Sequence, residues 1–184
     1  MAHGRGRLVH AEGDIYDGEW YEDKTHGYGV QQNFKGSRYE GQWQNDQQNG
    51  RGVEKWPDGS VYDGEYKDGM KHGKGKLVWA DGSSYEGDFF ESNLHGKGTY
   101  KWEDLREFTG TYVNNVMQGQ GEFSWPDGRK YSGEYQNDKK TGYGVFVWPD
   151  GRKYEGNWLN GKQHGEGFYV DKSGKKRKGV WEEG

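Results

Sequence analysis

The feature that most constrains this chain is its period. The pattern aromatic-x-Gly begins at Tyr16, Tyr39, Tyr62, Tyr85, Phe108, Tyr131 and Tyr154, and every step is 23 residues. Gly-x-Gly pairs begin at Gly4, Gly27, Gly50, Gly73, Gly96, Gly119, Gly142 and Gly165 on the same 23-residue step. An eighth aromatic-x-Gly position is degraded to Arg177-Lys178-Gly179. The 184 residues therefore make eight units of 23 without insertion or deletion. All 34 glycines fall in five columns of the repeat, and all nine tryptophans in two. Such a chain stacks one supersecondary unit upon itself, and the copies share a core that none could build alone.

Within each copy, special residues recur at every second position. Gly73, Gly75, Leu77 and Trp79 form one such set, and Tyr85, Gly87 and Phe89 another. Side chains alternate between faces along a strand, so each set shares a face. The opposite face takes Lys74, Lys76, Glu86 and Asp88. One aromatic-and-glycine face and one charged face indicate an antiparallel sheet. The "WPDG" stretches at 56–59, 125–128 and 148–151 join the two segments. Asp-Gly between alternating runs signals a hairpin. The other connection, from Asn160 to His164, is also short and polar.

The expected fold is all-β: an elongated, single-layer, twisted antiparallel sheet of about sixteen strands and roughly 75 Å. It forms one array over residues 1–184, with partial copies at both ends. Glycine weakens strands, but here bare backbone gives each ring a floor to lie on. Each covered ring contributes ~1.5–3 kcal/mol by burial. The rings expected to build this ladder are Tyr16, Trp20, Tyr39, Trp43, Trp56, Tyr62, Trp79, Tyr85, Trp102, Trp125, Tyr131, Trp148, Tyr154, Trp158 and Trp181. A leucine-rich repeat is excluded by the missing leucine ladder, and a β-helix by the recurring hairpins.

Composition excludes several function classes. Only 29% of residues are apolar, but 16% are aromatic, unlike a disordered chain. A net charge of −4 argues against a nucleic-acid partner. No cysteine is present for disulfides or thiolate metal sites. There is no apolar run long enough to span a membrane, which suits a soluble intracellular protein.

The 23-residue units resemble MORN (membrane occupation and recognition nexus) repeats. Tyr154-Glu155-Gly156, Trp158, Asn160-Gly161-Lys162 and His164-Gly165-x-Gly167 carry the resemblance most fully. It implies stacked hairpins without catalysis. Members of that family are scaffolds in axonemes and the cytoskeleton. Others are modules of junction-forming membrane proteins, phosphoinositide kinases and a histone methyltransferase. The implied role is a non-enzymatic protein-interaction scaffold, cytoskeletal or ciliary. The alternative is a membrane-proximal module that binds phosphoinositides or regulates an attached enzyme.

No cofactor, metal or catalytic residue is expected. Gly156-x-x-x-x-Gly161-Lys162 lacks the Ser or Thr of a phosphate loop, and its glycines sit in structural columns. His3, His26, His72, His95 and His164 share a column whose neighbours lie ~10 Å apart, too far to share a metal, and turn hydrogen bonds are expected of them. The carboxylates Glu19, Glu65, Asp88 and Glu134 recur with the repeat and read as a solvated face.

Function is sought instead where copies differ. A basic strip is expected from Arg129, Lys130, Arg152, Lys153, Lys172, Lys175, Lys176, Arg177 and Lys178, as a dock for an acidic tail or an anionic phospholipid. The fifth copy has Leu105 where the turn glycine belongs, so an irregular turn and a bend are expected there. Its tip, Val113, Val116 and Met117, is a candidate partner contact. Uncapped sheet edges invite edge-to-edge self-association, unless the chain is part of a longer array.

Overall fold

The computed structural model describes residues 1–182 and 184. It is all-β, with no helix among the described residues. Contacts divide the chain into two compact units, Met1–Asn93 and Leu94–Gly184. The first contains β1 (Gly4–Val9), β2 (Ile15–Tyr21), β3 (Lys24–Gln32), β4 (Arg38–Gln44), β5 (Gln47–Lys55), β6 (Val61–Lys67), β7 (Met70–Val78) and β8 (Ser84–Phe90). The second is built from β9 (Asn93–Lys101), β10 (Glu107–Val113), β11 (Val116–Ser124), β12 (Lys130–Gln136), β13 (Lys139–Val147), β14 (Lys153–Leu159), β15 (Lys162–Val170) and β16 (Lys176–Trp181). Strand order is chain order, without crossover. Each unit is an open antiparallel meander.

The glycines explain how the meander holds its rings. Gly64 stands opposite Gly75, and Gly133 opposite Gly144. The Tyr62 ring lies flat on the first pair: a Cβ on Gly64 would sit 2.5 Å from the Tyr62 hydroxyl and 2.6 Å from the Gly75 Cα. Tyr131 covers Gly133 and Gly144 in the same way. The hydroxyls of Tyr16, Tyr39, Tyr62, Tyr85, Tyr131 and Tyr154 each donate to the carbonyl three residues on, at 2.8–3.0 Å. Burial lifts the Tyr16 phenol to about 12, and those of Tyr62 and Tyr131 higher still.

These tyrosines alternate with the rings four residues on to form an edge-to-face spine. In the first unit it runs Trp20, Tyr16, Trp43, Tyr39, Tyr66, Tyr62, Phe89, Tyr85, with centroids 5.1–5.3 Å apart. In the second it runs Tyr112, Phe108, Tyr135, Tyr131, Trp158, Tyr154, Trp181 at 4.8–5.4 Å. Perpendicular pairs are worth about 0.5–1.5 kcal/mol each beyond burial.

Local geometry corrects the sequence reading in three places. The second strand of a copy starts before its Gly-x-Gly: β7 begins at Met70, not Gly73. The first glycine of each pair is therefore not part of the ring floor. Gly27, Gly73 and Gly142 adopt φ of 56–63° where the register slips, and are covered by Glu19, Glu65 and Glu134. That column of carboxylates thus packs on bulges.

The polar connection between strands is a two-residue turn with both residues left-handed: Glu22 and Asp23 at φ 50° and 64°, Asn114 and Asn115 at 47° and 68°. Mirror-image turns of this kind match the twist of paired strands. They also reach back to the preceding copy. The Asp46 carboxylate accepts from Thr25 N at 2.8 Å, while Asp46 N donates to the Thr25 carbonyl at 3.1 Å. Asp138 does the same to Met117.

The irregular fifth turn is not observed. Leu105 N donates to the Trp102 carbonyl at 3.0 Å, and Trp102 N to the Arg106 carbonyl at 2.9 Å. Gly128 makes the same closure with Trp125 and Arg129. Leu105 is forced to φ 67°, and its side chain is left in solvent. The hydrogen-bonded loop overrides the ~1–2 kcal/mol that a branched residue costs there.

Candidate functional site

The sequence-selected rings fall into two rows. Tyr16, Tyr39, Tyr62, Tyr85, Tyr131 and Tyr154, with Trp20, Trp43, Trp158 and Trp181, stand in the spine. Trp56, Trp79, Trp102, Trp125 and Trp148 are half-buried beside it, each closing a hairpin loop through its N–H. In the second unit this outer row is continuous. Tyr100, Trp102, Phe123, Trp125, Phe146 and Trp148 follow one another at 4.4–5.6 Å. In the first unit the same columns hold His10, Gln31, Asn33 and Glu54 among Leu8, Trp56, Leu77 and Trp79.

Arginines accompany the continuous row. The guanidinium of Arg106 stands 5.4 Å from the Trp102 ring, Arg129 5.2 Å from Trp125 and Arg152 5.8 Å from Trp148. Each is held by the turn aspartate two residues before it, Asp104, Asp127 or Asp150, at 2.7 Å. The first unit places Ser60 and Ser83 there, buried, with their N–H on Asp58 and Asp81.

Lys140 lies among the same rings. Its ammonium is 5.0 Å from Trp125, 5.1 Å from Tyr131, 5.3 Å from Phe146 and 5.0 Å from Trp158. Among the described residues no carboxylate lies within 4.0 Å of it. Burial, then the nearby Arg129 charge, lowers its pKa to about 8. Lys71 is the first unit's counterpart, 4.8 Å from Trp56 and 5.3 Å from Tyr62, and is shifted down by burial. Neither lysine stood out in the sequence. Their column reads Thr25, Gln48, Lys71, Leu94, Met117, Lys140, Gln163, so a cation two residues before Gly-x-Gly was the available signal.

The structure separates the nine cations singled out from the sequence. Arg129 and Arg152 stand at the turns by the tryptophans. Lys130 and Lys153 precede the buried Tyr131 and Tyr154, so they take the opposite face. There Lys130 lines a shallow concavity of about 480 Å³ with Glu107, Glu122 and Ser132. Lys176 meets Glu155 at 2.6 Å, and Lys178 meets Glu166 at 3.1 Å. Lys172 reaches Asp150 at 3.5 Å. Lys175 precedes β16, and Arg177 takes the register position opposite Tyr169. At the fifth tip, Val113 pairs with Val116 across the turn and is exposed; Met117 is half-buried.

Among the histidines, Nδ1 of His95 accepts from Asn114 N at 3.4 Å, the kind of turn bond expected. Nδ1 of His26 is instead buried without a hydrogen-bond partner among the described residues, so the expectation does not hold for the whole column. Gln118 replaces histidine and accepts from Asn137 N at 3.1 Å. No cluster of three or more His, Asp or Glu suited to a metal occurs among the described residues. In the phosphate-loop look-alike, Gly156 lies under Tyr154, Gly161 makes the turn at φ 85°, and no helix follows.

Among curated proteins no relative matches the chain. Several solved structures share its fold at low identity. The SAS-4 (dCPAP) TCP domain of Drosophila melanogaster, solved with a Proline Rich Motif of Ana2 (dSTIL), is 11% identical, with TM-score 0.55 over 96% of this chain and 90% of that one. The TCP10 domain of Danio rerio CPAP is 10% identical, with TM-score 0.54 over 96% and 84%. The G-box domain of the microcephaly protein CPAP is 15% identical, with TM-score 0.51 over 97% and 100%. The MORN repeat model matches residues 16–38, 39–61, 62–84, 85–104, 108–128, 131–151 and 154–176, seven consecutive copies. With glycine pairs, spine and paired hairpins repeating through those copies, the chain belongs to the MORN repeat family.

Proposed function

We propose that this protein is a non-catalytic scaffold that holds other proteins, in a cytoskeletal, ciliary or axonemal assembly. The observation that carries this reading is the outer row of the second unit. Half-buried tryptophans flanked by arginine are the residue types that dominate protein–protein contacts. Proteins sharing the fold include centriole components, one solved with a proline-rich motif of another protein, which supports a protein partner in a cytoskeletal setting.

The second reading is peripheral attachment to anionic phospholipid through the basic residues of the last copies. It is favoured by Lys130 and Lys153 on the outward face. It is weakened by the carboxylates that hold Arg129, Arg152, Lys172, Lys176 and Lys178. No helix among the described residues is long and apolar enough to cross a membrane.

Proximity labelling in the source cell, paired with flotation on vesicles with and without phosphoinositides, separates the two. The scaffold reading expects cytoskeletal neighbours and no flotation. Flotation that needs phosphoinositide, with a labelling map of membrane proteins, overturns it.

A further inference from the structure

We propose that the outer aromatic row of the second unit binds an extended proline-rich segment carrying an acidic side chain, with prolines on Trp102 and Trp148 and the carboxylate between them at Trp125, on Lys140 and Arg129. This rests on the scaffold reading and specifies its partner.

The first argument is register. Successive tryptophans of the row belong to copies two strands apart, a step of about 9.6 Å. A polyproline II chain advances about 9.3 Å in one three-residue turn, so every third residue meets the next tryptophan. An α-helix offers steps of about 10.8 Å over two turns, and drifts four times faster. Three residues of a β-strand cover about 10 Å and turn the third side chain to the other face. Aromatic rows are the usual platform for polyproline segments, which have little entropy to lose on docking.

The second argument is charge. Two cations face the Trp125 ring, Arg129 at 5.2 Å and Lys140 at 5.0 Å. One carboxylate, Asp127, is present, and it is engaged by Arg129 at 2.7 Å. The ring faces stabilise the Lys140 ammonium but do not neutralise it. A half-buried cation without an anion costs free energy that an incoming carboxylate recovers. Trp102 and Trp148 each face one cation, an arginine held by its own aspartate, and Lys172 is also held by Asp150, so the acidic side chain belongs at the middle tryptophan. The prolines occupy the flanking steps.

The repeat supplies its own control substitutions. Copies of the same column carry Leu94 in place of Lys140, Ser60 in place of Arg129 and Asn33 in place of Trp125. Each replacement is therefore already compatible with the fold.

The intact chain is titrated by calorimetry with three synthetic peptides: proline at every third position with one central Glu, the same peptide with Gln for Glu, and a scramble of the first. The first is expected to bind, the second about tenfold more weakly, the scramble not measurably. Lys140→Leu should bring the first two peptides together, Arg129→Ser should narrow their gap, and Trp125→Asn should abolish both. Circular dichroism confirms that each variant is folded. Equal binding of all three peptides, or a Glu-to-Gln ratio unmoved by Lys140→Leu and Arg129→Ser, overturns the proposal. If no peptide binds while cytoskeletal neighbours are still labelled and lost in Trp125→Asn, the occupant is wrong and the scaffold reading stands. Absence of both overturns both.

Discussion

The two units share a spine and differ beside it. Residues 1–93 and 94–184 carry the same glycine pairs, covering tyrosines in the same column (Phe108 excepted) and the same perpendicular rings. Only the second unit extends its outer row into an unbroken aromatic strip with arginines over it. In the first, serine replaces arginine, and polar residues interrupt the rings. The comparison teaches that a strict repeat divides its columns by task. Columns that form the ring floor cannot vary, because each residue is held from two strands. Columns at the loop ends vary freely and can acquire a surface.

If the spine is common property, equivalent cuts should hurt equally. Tyr62→Ala and Tyr131→Ala should each cost about 4 kcal/mol in denaturant unfolding. Gly64→Ala and Gly133→Ala should each cost about 3 kcal/mol, since the new methyl meets a ring and a strand backbone. A twofold disparity between units at either position would break the comparison.

The next effect has the opposite sign. Leu105→Gly should raise stability by about 1 kcal/mol, because the loop already has glycine geometry. No gain in the melt would mean that Leu105 packs in a way its exposed position does not suggest. Smaller still, Phe108→Tyr should restore the hydroxyl bond that the other copies make, adding about 0.5 kcal/mol.

The remaining effect is set by pH. Lys140 titrates near 8 in the fold and near 10.5 unfolded, so the folded state loses its proton first. Its burial penalty is full below pH 8 and is relieved as pH rises from 8 toward 10.5. The tyrosines oppose this above pH 10, where the unfolded phenols ionise while the buried ones resist. Wild type should therefore gain stability between pH 8 and 9.5 relative to Lys140→Leu. Parallel curves for the two proteins would show that Lys140 is not desolvated by its rings.

Much of this was legible in the chain. Strand alternation, the ring faces and the glycine floor follow from residues that never leave their columns. What stayed hidden depends on backbone states that side chains do not announce. Glu22-Asp23 and Glu91-Ser92 give little hint of consecutive left-handed residues, yet the register across the hairpin demands them. Leu105 looked like a defect, because its cost was visible and the closing hydrogen bonds were not. The arginine–aspartate pairs could have been read from Asp127-Gly128-Arg129, two residues apart across a turn. Lys140 required knowing that its column runs beneath the rings.

The hooks between hairpin tips carry a consequence for how such arrays change length. Each tip donates a backbone N–H to a carbonyl of the copy before it, as Gly69 does to Gln48 and Gly161 to Lys140, and Asp46 and Asp138 add a carboxylate to the grip. Removing residues 39–61 would join Arg38 to Tyr62 and present every remaining group with a partner of the same column. Losing one residue fewer would turn every downstream side chain to the wrong face. Recombination between copies can therefore lengthen or shorten the protein only in whole steps, and each step is inherited as a working length.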